Sequence, residues 1–295
     1  MNLLTIFTPT FNRAYLLPNL YRSLLLQSNK GFEWLIVDDG SSDYTEELIK
    51  KWIEDGELQI SYYKQENQGK HIAHNKGVEL CNTLLFYCVD SDDRLPSDAV
   101  QLIYDLQKEE KNNKILGFYM RKGDYYGNTL GENWPQHIKY ATLNELYQKF
   151  KYQGEAAIIL YTKMIKRYKF PQFKGEKFIR ESVFYDQINN IAPMRLEDRI
   201  CYLFEYKEDG YTAQGLKLEL NNPVGTGYNF LHHIRYTSGL LEKCKYMGQY
   251  LAWKEMLRID ELSYEIIRAP IYVALGGYLL KAHYLKIFIE YREAK

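Results

Sequence analysis

The sequence has no net charge and no long apolar run. Lys and Arg together number 38, and so do Asp and Glu, which gives a formal net charge of zero at pH 7. We therefore expect no long-range positive field that gathers nucleic acid or acidic lipid, and any bound anion must be held by local groups. A helix that spans a bilayer needs about 18 or more consecutive apolar residues, and no such stretch occurs.

Cysteine is scarce, and no Cys-x-x-Cys spacing occurs among Cys81, Cys88, Cys201 and Cys244. Reduced thiols in a cytoplasmic protein are therefore the simpler interpretation. The apolar residues 1–11 lack a basic region and a small-residue cleavage site, so we expect a strand there rather than a signal peptide. These features predict a cytoplasmic location.

Strand-like and helix-like segments alternate over the first 110 residues. Strands are predicted at residues 3–8, 33–37, 58–63 and 83–89, and helices at residues 15–27, 43–53 and 72–80. This alternation predicts an α/β fold with a mostly parallel, twisted sheet flanked by helices. Ligands of such sheets bind beyond the carboxyl ends of the strands, where this sequence has four polar turns.

The pattern becomes less regular after Gly117. Residues 121–134 are rich in Gly, Asn and Tyr, which predicts loops or a short hairpin. Helices are predicted at residues 143–150 and 177–190. From Tyr228 to the end, apolar and charged residues mix as expected for helices with one buried face.

Three carboxylates follow one of the predicted strands. The apolar residues 84–89 lead directly into Asp90, Ser91, Asp92 and Asp93. Hard divalent cations such as Mn2+ and Mg2+ prefer oxygen ligands, and a sugar-nucleotide diphosphate needs its charge neutralised before it can leave. An isolated motif of this kind is more often a solvated turn with an Asp that caps the next helix. The neighbouring turns favour the metal.

A second acidic turn, residues 38–43, reads Asp-Asp-Gly-Ser-Ser-Asp. Gly40 permits a tight turn, which we expect to leave Asp38 and Asp39 free to accept hydrogen bonds, for example from an N–H group of a nucleobase.

A third turn opens a predicted helix with Lys70, His71 and His74. The two histidines are three residues apart with no carboxylate at ligand spacing, so contact with a base or phosphate is a better interpretation than zinc.

Together with the opening turn, Thr8-Pro9-Thr10-Phe11-Asn12-Arg13, these segments resemble glycosyltransferase family 2, in its bacterial polysaccharide-synthesis branch. The resemblance covers residues 1 to about 230 and implies the inverting chemistry and GT-A fold of that family. It implies a hexosyltransferase that uses Mn2+ or Mg2+ and a nucleotide-sugar donor, with uridine the usual nucleoside. The acceptor would be a hydroxyl group of a glycan, a lipid-linked glycan or a protein.

The resemblance also implies roles for individual residues. Asp92 would coordinate the metal, while Asp90 would reach the ribose or donor sugar and is the second candidate ligand. Asp39 would hold the nucleoside, and Lys70 would contact the base or diphosphate. The full set expected to contact the donor is Thr8, Pro9, Thr10, Asn12, Arg13, Asp38, Asp39, Gly69, Lys70, His71, Asn75, Asp90 and Ser91.

The general base is expected in a later segment that resembles the acceptor side of these enzymes. We assign it to Glu181, but Arg180-Glu181-Ser182 stands where a Glu-Asp pair is frequent, so Glu176 and Asp186 are alternatives. Residues 206–212 resemble a family turn that closes over the donor.

We expect a catalytic domain over residues 1–227 and a helical C-terminal extension over residues 228–295. The extension has three alternative roles: packing against the catalytic domain, forming a homo-oligomer, or contacting the inner face of the membrane peripherally.

Two other functions compete with glycosyl transfer. A non-catalytic sugar-nucleotide-binding or scaffold protein would keep the pocket without turnover, and the intact acidic motif argues against it. A nucleotidyltransferase on a similar core would show a Gly-rich, basic phosphate loop after the first strand. This sequence has Thr-Pro-Thr-Phe-Asn at residues 8–12 instead.

Overall fold

A computed structural model of the chain describes residues 2–111, 114–204, 211–257 and 270–293. The chain divides into two compact units, one of residues 1–169 and 188–210, the other of residues 170–187 and 211–295. The division into functional domains predicted at residues 227 and 228 stays a prediction.

The first unit opens with strands and helices in strict alternation. The elements are β1 (Leu4–Thr10), α1 (Leu17–Leu25), β2 (Phe32–Asp38), α2 (Thr45–Asp55), β3 (Ile60–Lys64), α3 (Lys70–Leu80) and β4 (Leu85–Cys88). β1 pairs in parallel with both β2 and β4, and β2 pairs in parallel with β3. All seven elements confirm the prediction, and their ends agree within two residues.

Four more strands extend this sheet. After α4 (Ala99–Glu109) come β5 (Gly117–Gly123), β6 (Tyr140–Ala141), β7 (Ala156–Tyr161), the short α5 (Thr162–Ile165) and, after the next helix, β8 (Met194–Leu203). The strand order is β3-β2-β1-β4-β7-β5-β8-β6. β7 is antiparallel to β4 and to β5, while β5 and β8 are parallel. β5 and β8 therefore run in the direction of β1–β4, and their carboxyl ends reach the same edge of the sheet.

The sheet flanked by helices confirms the predicted α/β class, although the sequence did not reveal α4 or the later strands. The start of the predicted loop at residues 121–134 belongs to β5, and Gly123 then forms a short bridge with Thr129. Phe118, Tyr119 and Met120 are all buried. Because both faces of β5 are covered, it shows no alternation of polar and apolar residues.

The second unit is helical. Its elements are α6 (Ser182–Ile188, whose last residue falls in the first unit), α7 (Tyr211–Leu220), α8 (Pro223–Tyr236), α9 (Leu240–Leu257) and α10 (Ile271–Glu293). These helices confirm the predicted helical C-terminal segment within the described residues; residues 258–269 lie outside them. No helix among the described residues is long and apolar enough to cross a membrane.

Two predicted helices differ from the structure. The helix predicted at residues 143–150 contains a π-helical turn at Glu145–Lys149. The helix predicted at residues 177–190 begins only at Ser182. The backbone N–H groups of Lys177 and Phe178 donate to the Asn222 side chain, at 2.7 and 3.1 Å, so this part of the chain is held in an irregular conformation.

The four cysteines are not paired with one another in the structure. Cys81, Cys201 and Cys244 are buried, and Cys88 is half-buried.

Candidate active site

Asn12 joins the turns that follow β1 and β2. Its backbone N–H donates to Oγ of Ser41 at 2.8 Å, and its Oδ1 accepts from the backbone N–H of Ser42 at 2.8 Å. Asn12 adopts a positive φ of 53°, a conformation that Asn tolerates better than most residues. The predicted donor contact at Asn12 is thus also a structural link between two turns at the carboxyl edge of the sheet.

The carboxylate of Asp38 belongs to the protein interior. One oxygen accepts from the backbone N–H of Ser41 and the other from the hydroxyl of Tyr62, both at 2.7 Å, and the side chain is fully buried. The expectation that Gly40 leaves this carboxylate free is therefore wrong: the tight turn at Gly40, with φ of 83°, brings the Ser41 N–H back onto it.

Asp39 holds the loop that leads into α3. Its Oδ1 accepts from Nε2 of Gln65 at 2.8 Å and the backbone N–H of Gln68 at 2.9 Å, and its Oδ2 accepts from the backbone N–H of Gly69 at 2.7 Å. The side chain is only 3% exposed. Asp39 is therefore also not free in the sense predicted, although a carboxylate offers about four acceptor positions in all.

Lys70 links α3 to the acidic turn after β4. Its ammonium group lies 2.8 Å from one Asp90 oxygen and 2.9 Å from the other. The positive charge that the sequence suggested for a phosphate thus neutralises one of the three carboxylates.

The two histidines of α3 do not form a zinc pair. His74 packs edge-on against the rings of Phe7 and Phe86, with centroids 5.9 and 5.5 Å away, and belongs to the core. Burial lowers the pKa of His71 to about 4, so its ring is neutral at pH 7. A neutral imidazole can contact a base but brings no charge to a phosphate.

The acidic turn brings three carboxylates together. One oxygen each from Asp90, Asp92 and Asp93 lies within 4.8 Å of the others. Burial raises the pKa of Asp92, and the charge of Asp90 adds to the rise, while Arg13 and Lys70 oppose it. Burial, with a further contribution from Asp90, raises the pKa of Asp93 to about 7. Crowded carboxylates of this kind have the oxygen ligands and the mutual repulsion that suit a divalent cation.

Tyr202 on β8 reaches this turn and was not predicted from the sequence. Its hydroxyl accepts from the backbone N–H of Asp90 at 3.1 Å and donates to Oδ2 of Asp93 at 2.6 Å. The ammonium of Lys122, on β5, lies 4.5 Å from the centre of the Tyr202 ring. No local motif marks either residue, because each reaches the turn only through the pairing of distant strands.

Of the other residues predicted to contact the donor, some lie in the core and others lie in the polar turns. Pro9 is buried in β1, and Thr8 is buried with its hydroxyl accepting from the indole N–H of Trp34 at 3.0 Å, so Thr8 faces the core. Thr10 is 3% exposed, and its hydroxyl has no hydrogen-bond partner among the described residues. Hydrogen bonds connect the polar turns at Asn12, Asp39, Gly69, Lys70 and Asp90. Ser91 is buried in the turn after β4. Asn75 lies half-buried on α3, one turn beyond His71.

The three candidate bases all lie in the second unit and differ in their surroundings. Both oxygens of Glu176 accept backbone N–H groups at the start of α8, from Val224 and Gly225, each at 2.7 Å. Asp186 lies 3.0 Å from Nδ1 of His233, in a direction that does not suit a hydrogen bond. Glu181 is exposed.

The predicted donor-covering turn spans residues 206–212. Of these, residues 206–210 lie outside the described part of the chain.

Comparison with known proteins gives a consistent result. Residues 5–173 match the family model described as glycosyl transferase family 2. The chain is 27% identical over 204 residues to the glycosyltransferase GlyA of Streptococcus pneumoniae, covering 68% of this chain and 29% of GlyA. It is 27% identical over 206 residues to the chondroitin synthase of Escherichia coli, covering 68% and 28%. The alignments thus span less than a third of either relative.

The fold is similar to that of S. aureus TarS. A crystal structure of TarS residues 1–349 in complex with UDP-GlcNAc superposes with a TM-score of 0.61 at 15% identity, covering 100% of this chain and 93% of that one. TarS is a GT-A glycosyltransferase, so the likeness confirms the GT-A architecture expected from the sequence.

Proposed function

The chain belongs to glycosyl transferase family 2, and we propose that it moves a sugar from a nucleotide-diphosphate donor to a hydroxyl group of a glycan acceptor. The observation that carries this proposal is the acidic turn, where three carboxylates meet at the carboxyl edge of β4. This is the edge of an α/β sheet at which ligands bind.

The acidic turn fits a divalent cation. Asp92 and Asp90 are the ligands we propose, because both residues are half-buried whereas Asp93 is buried. Mn2+ or Mg2+ bound there would take up negative charge on the leaving diphosphate. The raised pKa of Asp92 supports this assignment, since a cation would relieve the repulsion that causes part of the rise.

UDP is the nucleotide that we propose for the donor. Thr10 supports a polar ligand at the end of β1, because a buried hydroxyl with no hydrogen-bond partner among the described residues is costly unless a ligand satisfies it. Asp39 lies beside it, since the backbone N–H of Asp39 donates to the Thr10 carbonyl at 2.8 Å. We propose that Thr10 and Asp39 contact the nucleobase and that Arg13, Lys70 and His71 line the rest of the nucleotide site.

Glu181 is our proposed general base. Inversion requires the acceptor hydroxyl to attack the anomeric carbon from the face opposite the leaving group, and a carboxylate must take its proton. Glu181 is exposed, whereas Glu176 and Asp186 are half-buried. These differences support Glu181 over the two alternatives.

The acceptor and the assembly are further proposals. We propose a lipid-linked or protein-linked glycan as the acceptor, because either offers the hydroxyl group that this chemistry needs. We also propose that the protein acts in the cytoplasm. α10 has several large apolar side chains on its surface, which support a contact with a partner: Ile271, Tyr272, Leu275, Tyr278 and Leu279. Acidic residues are nearly as common as basic ones on this helix, which favours a second copy of the chain over a membrane. Light scattering of the full chain and of a chain lacking residues 265–295, with liposome sedimentation, would separate these roles. Equal monomer masses without liposome binding would contradict both.

The central experiment is a screen of nucleotide sugars for Mn2+-dependent turnover and donor hydrolysis. We expect turnover with a UDP-sugar, and calorimetry should show tighter binding of UDP than of GDP. Asp92→Asn should remove most of the activity and the effect of Mn2+ on UDP affinity while thermal unfolding stays near that of the unmodified protein. Near-normal turnover by this variant would contradict the metal assignment, and UDP binding without any turnover would favour a non-catalytic binding protein.

A further inference from the structure

Tyr202 connects the acidic turn to a strand that is more than a hundred residues away in the sequence. Tyr202 is only 3% exposed, and its hydroxyl makes two hydrogen bonds, accepting from the Asp90 N–H and donating to the Asp93 carboxylate. Both partners belong to the turn, one at its beginning and one at its end. The phenol therefore fixes two points of the same four-residue segment.

The turn has reason to need such a support. Within it, one backbone hydrogen bond closes the chain, from the Asp93 N–H to the Asp90 carbonyl at 3.2 Å. Its three carboxylates lie close enough to repel one another. Without a cation, that repulsion favours conformations that separate the carboxylates, and a later metal would have to reverse the change.

We propose that Tyr202 is a positioning residue that holds the acidic turn in the geometry needed for metal binding. The inference rests on the proposed metal role of Asp90 and Asp92. Tyr202 bonds to the backbone of one proposed ligand, Asp90, and to the neighbouring Asp93 carboxylate, so it acts on the ligands through the turn that carries them. Loss of outer contacts that orient metal ligands commonly lowers metal affinity about 10- to 100-fold. Tyr202 touches neither donor nor acceptor in this scheme and acts through the turn alone.

Tyr87 provides a matched control. It is fully buried on β4, its ring lies edge-on to that of Tyr202 at 6.3 Å, and its hydroxyl donates to the Cys201 carbonyl at 2.9 Å. Tyr87→Phe and Tyr202→Phe each remove one buried hydroxyl from the same pair of strands. Only Tyr202→Phe removes bonds to the acidic turn.

The first measurement needs no metal. In protein labelled with 15N-aspartate, the Asp90 amide should exchange with solvent at least about tenfold faster in Tyr202→Phe than in the unmodified chain, because its acceptor is lost. In Tyr87→Phe the rate should stay close to that of the unmodified chain. Equal acceleration in the two variants would mean general loosening of the sheet and would overturn the proposal.

The second measurement is the Mn2+ concentration that half-saturates UDP binding, followed by calorimetry. We expect a rise of about tenfold or more for Tyr202→Phe, little change for Tyr87→Phe, and the same UDP affinity for all three proteins without Mn2+. If the unmodified protein shows Mn2+-dependent UDP binding and Tyr202→Phe matches it, the positioning role is wrong. If the unmodified protein shows no Mn2+ effect, the proposed metal site is wrong. The amide-exchange measurement then still tests whether Tyr202 holds the acidic turn.

A measurement on the unmodified chain covers the case in which Tyr202→Phe does not fold. The Asp90 amide should then exchange about as slowly as the amides of β4, and much more slowly than that of Ser91. Rapid exchange of Asp90 would overturn the inference.

Discussion

Replacement of one Asp39 carboxylate oxygen by an amide NH2 group should perturb both the loop that leads into α3 and the proposed nucleotide site. In Asp39→Asn the amide oxygen can keep the two bonds from Gln65 and Gln68, but the NH2 group then faces the N–H of Gly69, where the carboxylate accepted at 2.7 Å. The lost bond to a charged acceptor is worth about 1.5–3 kcal/mol, and the two remaining bonds lose their charge assistance. We expect the free energy of unfolding to fall by at least about 2 kcal/mol.

Urea unfolding and UDP calorimetry test this prediction together. UDP affinity should fall by about tenfold or more, since Asp39 is a proposed base contact and also anchors the loop that carries Lys70. Asp124→Asn is the control: Asp124 likewise accepts backbone N–H groups, from Tyr126 and Asn128 at 2.8 and 2.9 Å, but in a turn whose next residues are exposed. That variant should keep its UDP affinity. An Asp39→Asn protein with normal stability and normal UDP affinity would refute the reasoning.

Two further predictions concern the second unit. Glu181→Gln should lower turnover by at least about 100-fold with little change in UDP affinity. Glu176→Gln should mainly lower the urea concentration at the midpoint of unfolding, because Glu176 caps the start of α8. The reverse result would move the base to Glu176. Burial lowers the pKa of His232 to about 4 from 6.5, so the unfolded chain takes up the proton first as the pH falls. As the pH falls from 6.5 to 4, this residue should therefore cost the folded protein roughly 3 kcal/mol of stability. His232→Gln should flatten the pH dependence measured by urea unfolding, and an unchanged slope would contradict the assignment.

The sequence predicted the first four strands and three helices because each is a local pattern bounded by a polar turn. It could not predict β5, whose residues are covered on both faces, or the start of α6, which is delayed by bonds from Lys177 and Phe178 to the distant Asn222. The same limit applies to the site. The acidic turn is a local sequence motif, but Tyr202 becomes its neighbour only through the sheet order β4-β7-β5-β8.

The two acidic motifs look alike in the sequence, yet their carboxylates have different surroundings. Asp38 and Asp39 are almost fully buried and accept hydrogen bonds from the residues around them, so their negative charge stabilises those turns. Asp90 and Asp92 are half-buried, and the Asp90 carboxylate pairs with Lys70 at the start of α3. If a cation binds Asp90 as we propose, it would compete with Lys70 for that carboxylate, and the Lys70 ammonium would become available to a diphosphate. One positive partner of the turn would thus replace another.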